Sequence, residues 1–171
     1  MKYSLVIFIS FFCMHAQAQT PEDKLKAAGL VLPPTSKPMA NYVKFVRTGN
    51  LIFLSGHGPT KADGTIITGK VGKDLTEKQG YEAAKITALS LLATLKDAIG
   101  DLGKVKRIVK VNGYVNCLPN FTDQPKIING CSDLLVLIFG DKGKHARAAM
   151  GMVALPNNIA VEIEMIVEVE D

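Results

Sequence analysis

The chain has 171 residues and a formal net charge of +4 at pH 7, a length that one domain accounts for without a second. It contains no Trp and only 6% aromatic residues, so little is available to stack on bases and nucleic acid is unsupported as a partner. No pair among Cys117, Cys131, His57 and His145 falls at a ligand spacing such as C-x-x-C or H-x-x-x-H, so no metal site is expected.

Lys2, the apolar run Leu5 to Met14 broken only by Ser10, and Ala16-Gln17-Ala18 follow one another in the order of a secretory signal peptide. The run is too short to span a bilayer as a permanent helix. Cys13 has no lipobox-like small residue before it, so a lipoprotein is not expected; the competing reading is a buried N-terminal helix. Cleavage after Ala18 leaves residues 19–171, enough to bury about 70% of the unfolded surface, exported to the periplasm or outside the cell with no membrane attachment. There a disulfide between Cys117 and Cys131 is permitted but not compelled.

Residues 19–40 read as a lead-in. Thr20 can cap a turn or two of helix over Pro21–Ala28, Gly29 can end it, and Pro33, Pro34 and Pro38 hold the chain extended. The domain proper is assigned to 41–171. It opens with a hairpin in which Tyr42–Thr48 alternates, Gly49-Asn50 turns and Leu51–Ser55 returns. Gly56–Gly72 is rich in glycine but has no phosphate-binding order, and reads as a connector. Thr76-Glu77-Lys78-Gln79 is a capping box opening a helix from about Glu77 to Ile99, with Tyr81, Ala84, Ala88, Leu91, Leu92 and Leu95 as its apolar stripe and Gly100 as its stop. A strand follows over Val105–Asn116; Lys104, Lys106, Arg107 and Lys110 mark it as a solvated edge. Thr122-Asp123-Gln124-Pro125 starts a second helix, Lys126–Phe139, closed by Gly140.

The last segment reads as two strands around Leu155-Pro156-Asn157-Asn158. Val161, Ile163, Met165, Val167 and Val169 alternate with Glu162, Glu164 and Glu168, the period of a half-buried strand. A symmetric hairpin would set Gly151 opposite Glu162 and Ala149 opposite Glu164, with Arg147 on the same face. A cation, small neighbours and carboxylates together suit a ligand, although a slip of one residue would send the arginine to the other face. The element order predicts an α+β domain: a mostly antiparallel sheet with two helices packed on one face.

Ser55-Gly56-x-x-Pro59, Ala146-Arg147 opening a strand, and Leu155-Pro156 followed by Val161-Glu162-Ile163-Glu164 resemble the RidA family, also called YjgF or endoribonuclease L-PSP. The resemblance runs over roughly residues 40–169. Asn41-Tyr42, Gly69-Lys70-Val71-Gly72, Gly113-Tyr114-Val115-Asn116, Ile128-Asn129-Gly130 and His145-Ala146-Arg147 are similar to its chorismate-mutase-like branch. The resemblance implies a homotrimer with clefts between subunits, and a cofactor-independent hydrolysis of 2-imino acids to keto acids and ammonia. It implies that Arg147 holds the carboxylate and Glu162 positions the water, with Tyr42, Ser55 and Asn129 lining the cleft. Two positions depart from the family pattern: Ala149 stands where a cysteine is frequent, and His57 where glutamine is usual, which adds a titratable donor at the cleft mouth or a plain hydrogen-bonding substitute.

Chemistry agrees with these roles. An arginine fork grips a carboxylate by two parallel hydrogen bonds, and a carboxylate can take a proton from attacking water, worth about 10²- to 10⁴-fold. Against them stand the readings of Arg147 as an interface salt bridge and Glu162 as an exposed strand residue. The chain is therefore expected to be an exported imine deaminase or a related hydrolase of small carboxylates; the alternatives are a non-catalytic carboxylate-binding protein and, last, an endoribonuclease. Because pyridoxal-phosphate enzymes release imino acids mainly in the cytoplasm, export leaves the substrate open to another small carboxylate.

Overall fold

Thr76 and Gln79 close the capping box as expected, each side chain bonding the other's backbone N–H, and Gly100 ends the helix at φ 80°. Between them runs α2, Glu77–Ile99, with Ala84, Ala88, Leu91, Leu92 and Leu95 fully buried. The computed structural model describes residues 19–35, 38 and 40–170. The expected signal peptide, residues 1–18, lies outside them. Ahead of α2 come α1 (Pro21–Ala27), capped by Thr20, and the strands β1 (Phe45–Thr48) and β2 (Leu51–His57). Gly49-Asn50 joins the two strands as expected, Thr48 pairing with Leu51. β2 runs on through Gly56 and His57, which the sequence assigned to the connector. After α2 come β3 (Val105–Asn116), α3 (Gln124–Phe139), β4 (Ala146–Met152) and β5 (Val161–Val169).

The strands form one sheet in the order β1-β2-β5-β3-β4. α2 packs over β2 and β5, and α3 over β3 and β4, so both long helices cover one face. α1 joins them through the buried Leu25, while Glu22 binds Lys96 at 3.2 Å and accepts the Leu102 N–H at 3.1 Å. The expected α+β architecture holds. The core fills the space between sheet and helices with Ile52, Leu54, Ile108, Val111, Ile163, Met165 and Val167 from the strands. Gly130 sets the closeness of the two long helices, because a Cβ there would lie 2.0 Å from the Tyr81 carbonyl oxygen on α2.

Two expectations about strand partners fail for one reason. β4 and β5 do not form a hairpin; β3 lies between them, antiparallel to β5 and parallel to β4. A parallel partner needs a crossover, and α3 between β3 and β4 supplies it, carrying β4 to the far edge of the sheet. The segment 153–160 then steps back across β3. It bends through a 3₁₀ turn at Pro156–Asn158, where Asn157 and Asn158 take the left-handed φ values of 52° and 56°. For the same reason β3 is no edge strand. Its Val105, Ile108, Val111, Gly113 and Val115 are buried, and its basic residues gather towards its first half, Lys106 pairing with Glu168 at 2.7 Å.

Candidate functional site

Residues paired across neighbouring strands share a face of the sheet. Arg147 pairs with Val111, which pairs with Met165, a row beneath the helices in which Val111 and Met165 are buried and Arg147 is half-buried. Glu162 pairs with Tyr114 and Tyr114 with Met150, a row on the opposite face. Arg147 and Glu162 therefore point to opposite sides of the sheet, on strands about 10 Å apart with β3 between. The shared face expected from a hairpin does not exist within one chain.

The cationic cluster is built by β4 and α3. Arg147 Nη1 donates to Asn129 Oδ1 at 2.8 Å and to Ser132 Oγ at 3.0 Å. Asn129 and Ser132 are three apart on α3, hence on one helix face. Ser132 Oγ lies 3.0 Å from His145 Nε2, and His145 Nδ1 lies 2.7 Å from the Gly143 carbonyl oxygen. Burial holds the His145 ring below its ordinary pKa, and the Arg147 charge acts in the same direction. Cys131, beside this cluster, is a free, fully buried thiol that burial pushes up to about 12. Cys117 is also free and buried. Among the described residues no group of three or more His, Cys, Asp or Glu could hold a metal ion.

The acidic cluster is built by β5, β3 and β2 on the other face. Glu164 Oε1 accepts from Asn112 Nδ2 at 2.8 Å and from Tyr114 OH at 3.0 Å. Burial raises the Tyr114 phenol, and the bond to Glu164 raises it further. Burial also pushes the Glu162 carboxyl above the usual carboxylate range, and the charge of Glu164 adds to the effect. Beneath it lies Gly56, where a Cβ would stand 2.1 Å from Glu162 Oε1. The space exists because β2 bulges: Leu54 pairs with Met165 but His57 with Ile163, so Ser55 and Gly56 together oppose Glu164.

A profile described as "YjgF/chorismate_mutase-like, putative endoribonuclease" matches residues 22–169. The chain belongs to the YjgF/RidA family. Protein TCP17 of Trypanosoma cruzi is 40% identical over 148 residues, 86% of this chain and 92% of that protein. A 2-iminobutanoate/2-iminopropanoate deaminase of Dermatophagoides farinae is 29% identical over 139 residues, 81% of this chain and 93% of that one. The protein Atu1372 of Agrobacterium tumefaciens, a structure of unknown function, superposes with a TM-score of 0.82 at 42% identity, covering 89% of this chain and 93% of that one.

The YjgF/RidA motif residues thus divide between two clusters. Asn129 joins Arg147; Ser55 lies in the bulge near Glu162, its hydroxyl donating to the Val43 carbonyl at 2.6 Å. Tyr42, 46% exposed, lies ahead of β1, next in the chain to the Val43 that Ser55 bonds. His57 is only 7% exposed and lines a small cavity with Gly56, Gly58 and Thr94. Its Nδ1 lies 2.7 Å from the Ser55 carbonyl oxygen and its Nε2 2.7 Å from Thr94 Oγ1 on α2. The bulge turned it inward, and burial keeps its pKa low. Ser132, His145, Asn112 and Tyr114 escaped the sequence reading as site residues, whereas Glu164 stood on the expected ligand face beside Glu162. Helix spacing from Asn129 points to Ser132 and the step of two from Arg147 points to His145, whereas Asn112 and Tyr114 join Glu164 and Glu162 only through the pairing of β3 with β5.

Proposed function

We propose that the protein is a cofactor-independent hydrolase of 2-imino acids or similar small carboxylates, working in clefts between the subunits of a homotrimer. The observation that carries this reading is the anchored Arg147: Asn129 and Ser132 hold one nitrogen of its guanidinium, while Nε and Nη2 make no hydrogen bond among the described residues. That edge suits a carboxylate. Because Arg147 and Glu162 face opposite sides of the sheet, a cleft combining them needs Glu162 of the partner subunit. Exposed apolar residues favour such contacts: Met150 and Met152 on the edge strand β4, 41% and 36% exposed, and Phe53 on β2, 41% exposed. The 29% identity to a 2-iminobutanoate/2-iminopropanoate deaminase supports this reaction class.

In this mechanism the substrate carboxylate sits on the Arg147 fork. Water attacks the imine carbon while the Glu162 carboxylate takes one of its protons, and the Glu162 carboxyl then hands that proton to the imine nitrogen. The resulting carbinolamine loses ammonia as the carbonyl forms. A carboxyl with a raised pKa is a stronger base once ionised, which suits proton abstraction near neutral pH. The protein is also proposed to be exported through residues 1–18, testable as a mature N-terminus following Ala18.

The deciding experiment is hydrolysis of 2-iminobutanoate generated in solution, with wild type and Glu162→Gln compared at equal concentration. Wild-type acceleration lost in the variant supports the reading, and an inactive wild type refutes it. A second reading, a non-catalytic carboxylate-binding protein, is favoured by the separation of Arg147 from Glu162 within one chain. Under it 2-ketobutyrate binds to Arg147, Glu162→Gln binds equally well, and no imine is hydrolysed.

A further inference from the structure

Each hydrogen in the cluster around Arg147 can be assigned a direction. The Gly143 carbonyl oxygen can only accept, so His145 Nδ1 carries the proton and donates across 2.7 Å. Burial and the adjacent Arg147 charge favour the neutral ring against the opposing bond to Gly143, and in the neutral ring with Nδ1 protonated Nε2 is an acceptor. Ser132 Oγ, 3.0 Å away, therefore gives its single hydrogen to His145. What it turns to Arg147 is lone pairs, and these accept the Nη1 hydrogen at 3.0 Å. The other Nη1 hydrogen goes to Asn129 Oδ1 at 2.8 Å. Both hydrogens of that nitrogen are spent inside the protein.

We propose that Ser132 and His145 are positioning residues for carboxylate recognition: they pin the inner nitrogen of Arg147 against α3, so that the Nε–Nη2 edge alone is offered to a ligand. The inference rests on the carboxylate reading of Arg147 above and adds what aims it. An unpinned guanidinium can rotate and offer any of its edges, losing both affinity and selectivity. The pinned one presents two parallel donors at the spacing of one planar carboxylate, and an amide of the same shape, with one oxygen and a competing NH₂, meets one donor with another. The chain also works as a unit. Without His145 the Ser132 hydroxyl can turn its hydrogen towards Arg147, and without Ser132 the His145 acceptor no longer reaches the guanidinium.

The test is calorimetric titration of the full protein with 2-ketobutyrate and with its neutral amide. Wild type, Arg147→Lys, Ser132→Ala, Ser132→Thr, His145→Phe and the Ser132→Ala/His145→Phe double variant are compared. Ser132→Ala and His145→Phe should each weaken 2-ketobutyrate binding about 3- to 10-fold and lower its preference over the amide. Ser132→Thr, which keeps the hydroxyl, should restore both, and the double variant should be no worse than the poorer single one. Carboxylate affinity and preference unchanged in Ser132→Ala, with binding weakened in Arg147→Lys, would overturn the proposal and leave the carboxylate site standing. Wild type that fails to bind 2-ketobutyrate would overturn both. If Ser132→Ala does not fold, the His145→Phe and Ser132→Thr pair decides alone, since only an aiming role predicts loss in one and retention in the other.

Discussion

The two clusters stabilise charge in opposite ways. On the helix side, the acceptors that Arg147 meets among the described residues are neutral, Asn129 and Ser132, which satisfy part of its donor set and place no opposite charge beside it. On the outer face, Glu162 sits half-buried beside a second carboxylate and above a glycine, an arrangement that raises its pKa. The first is a cation with free donors, and the second is an acid reluctant to ionise. Neither is the cheapest use of a strand position, since a salt bridge between them would relieve both. β3 prevents it within one chain.

Removing the base should have the largest effect. Glu162→Gln is expected to slow imine hydrolysis by about 10²-fold or more, read as kcat on the generated imine, while Tm at neutral pH rises. The sign follows from linkage: a carboxyl whose folded pKa is raised contributes stability below its unfolded pKa and loses it as pH rises through the folded one. Arg147→Lys, which keeps charge but not the fork, should weaken 2-ketobutyrate binding about 10- to 100-fold by calorimetry. Gly56→Ala should push the Glu162 carboxylate aside and lower kcat roughly tenfold, with 2-ketobutyrate affinity nearly unchanged, because the intrusion is on the acidic side.

Smaller effects sharpen the contrast. Glu164→Gln removes the neighbouring negative charge, so the acid limb of the kcat/KM profile should move to lower pH. His57→Gln should act on stability alone. The folded His57 pKa lies below 6.5, so wild type keeps this stability above pH 6.5 and loses it as pH falls towards the folded value. Denaturant midpoints measured at neutral pH and near pH 5.5 should differ less in His57→Gln.

Reciprocal capping by Thr76 and Gln79, the apolar stripe behind them and Gly100 made α2 legible to its ends. Gly49-Asn50 did the same for the first hairpin, and strict alternation for β5. Each signal is local, acting over one turn of helix or a few strand residues. What pattern could not supply was the partner of β4. Alternation says which residues of a strand share a face, but not which strand lies beside it, and the helix between β3 and β4 settled that through a parallel crossover. The inward turn of His57 was hidden likewise, since a bulge shifts the alternation without a mark in composition.

Sequence alone determined the family, the elements and the residue types that bear charge: Arg147 opening a strand, Glu162 and Glu164 alternating on another, Asn129 on a helix. Only the tertiary structure decided that these residues make two clusters on opposite faces, with Ser132 and His145 completing one and Asn112 and Tyr114 the other. The reason is physical. Secondary structure follows from forces between residues a few positions apart, whereas the face a charge occupies follows from strand order, which is decided by how α3 buries its apolar side against the sheet.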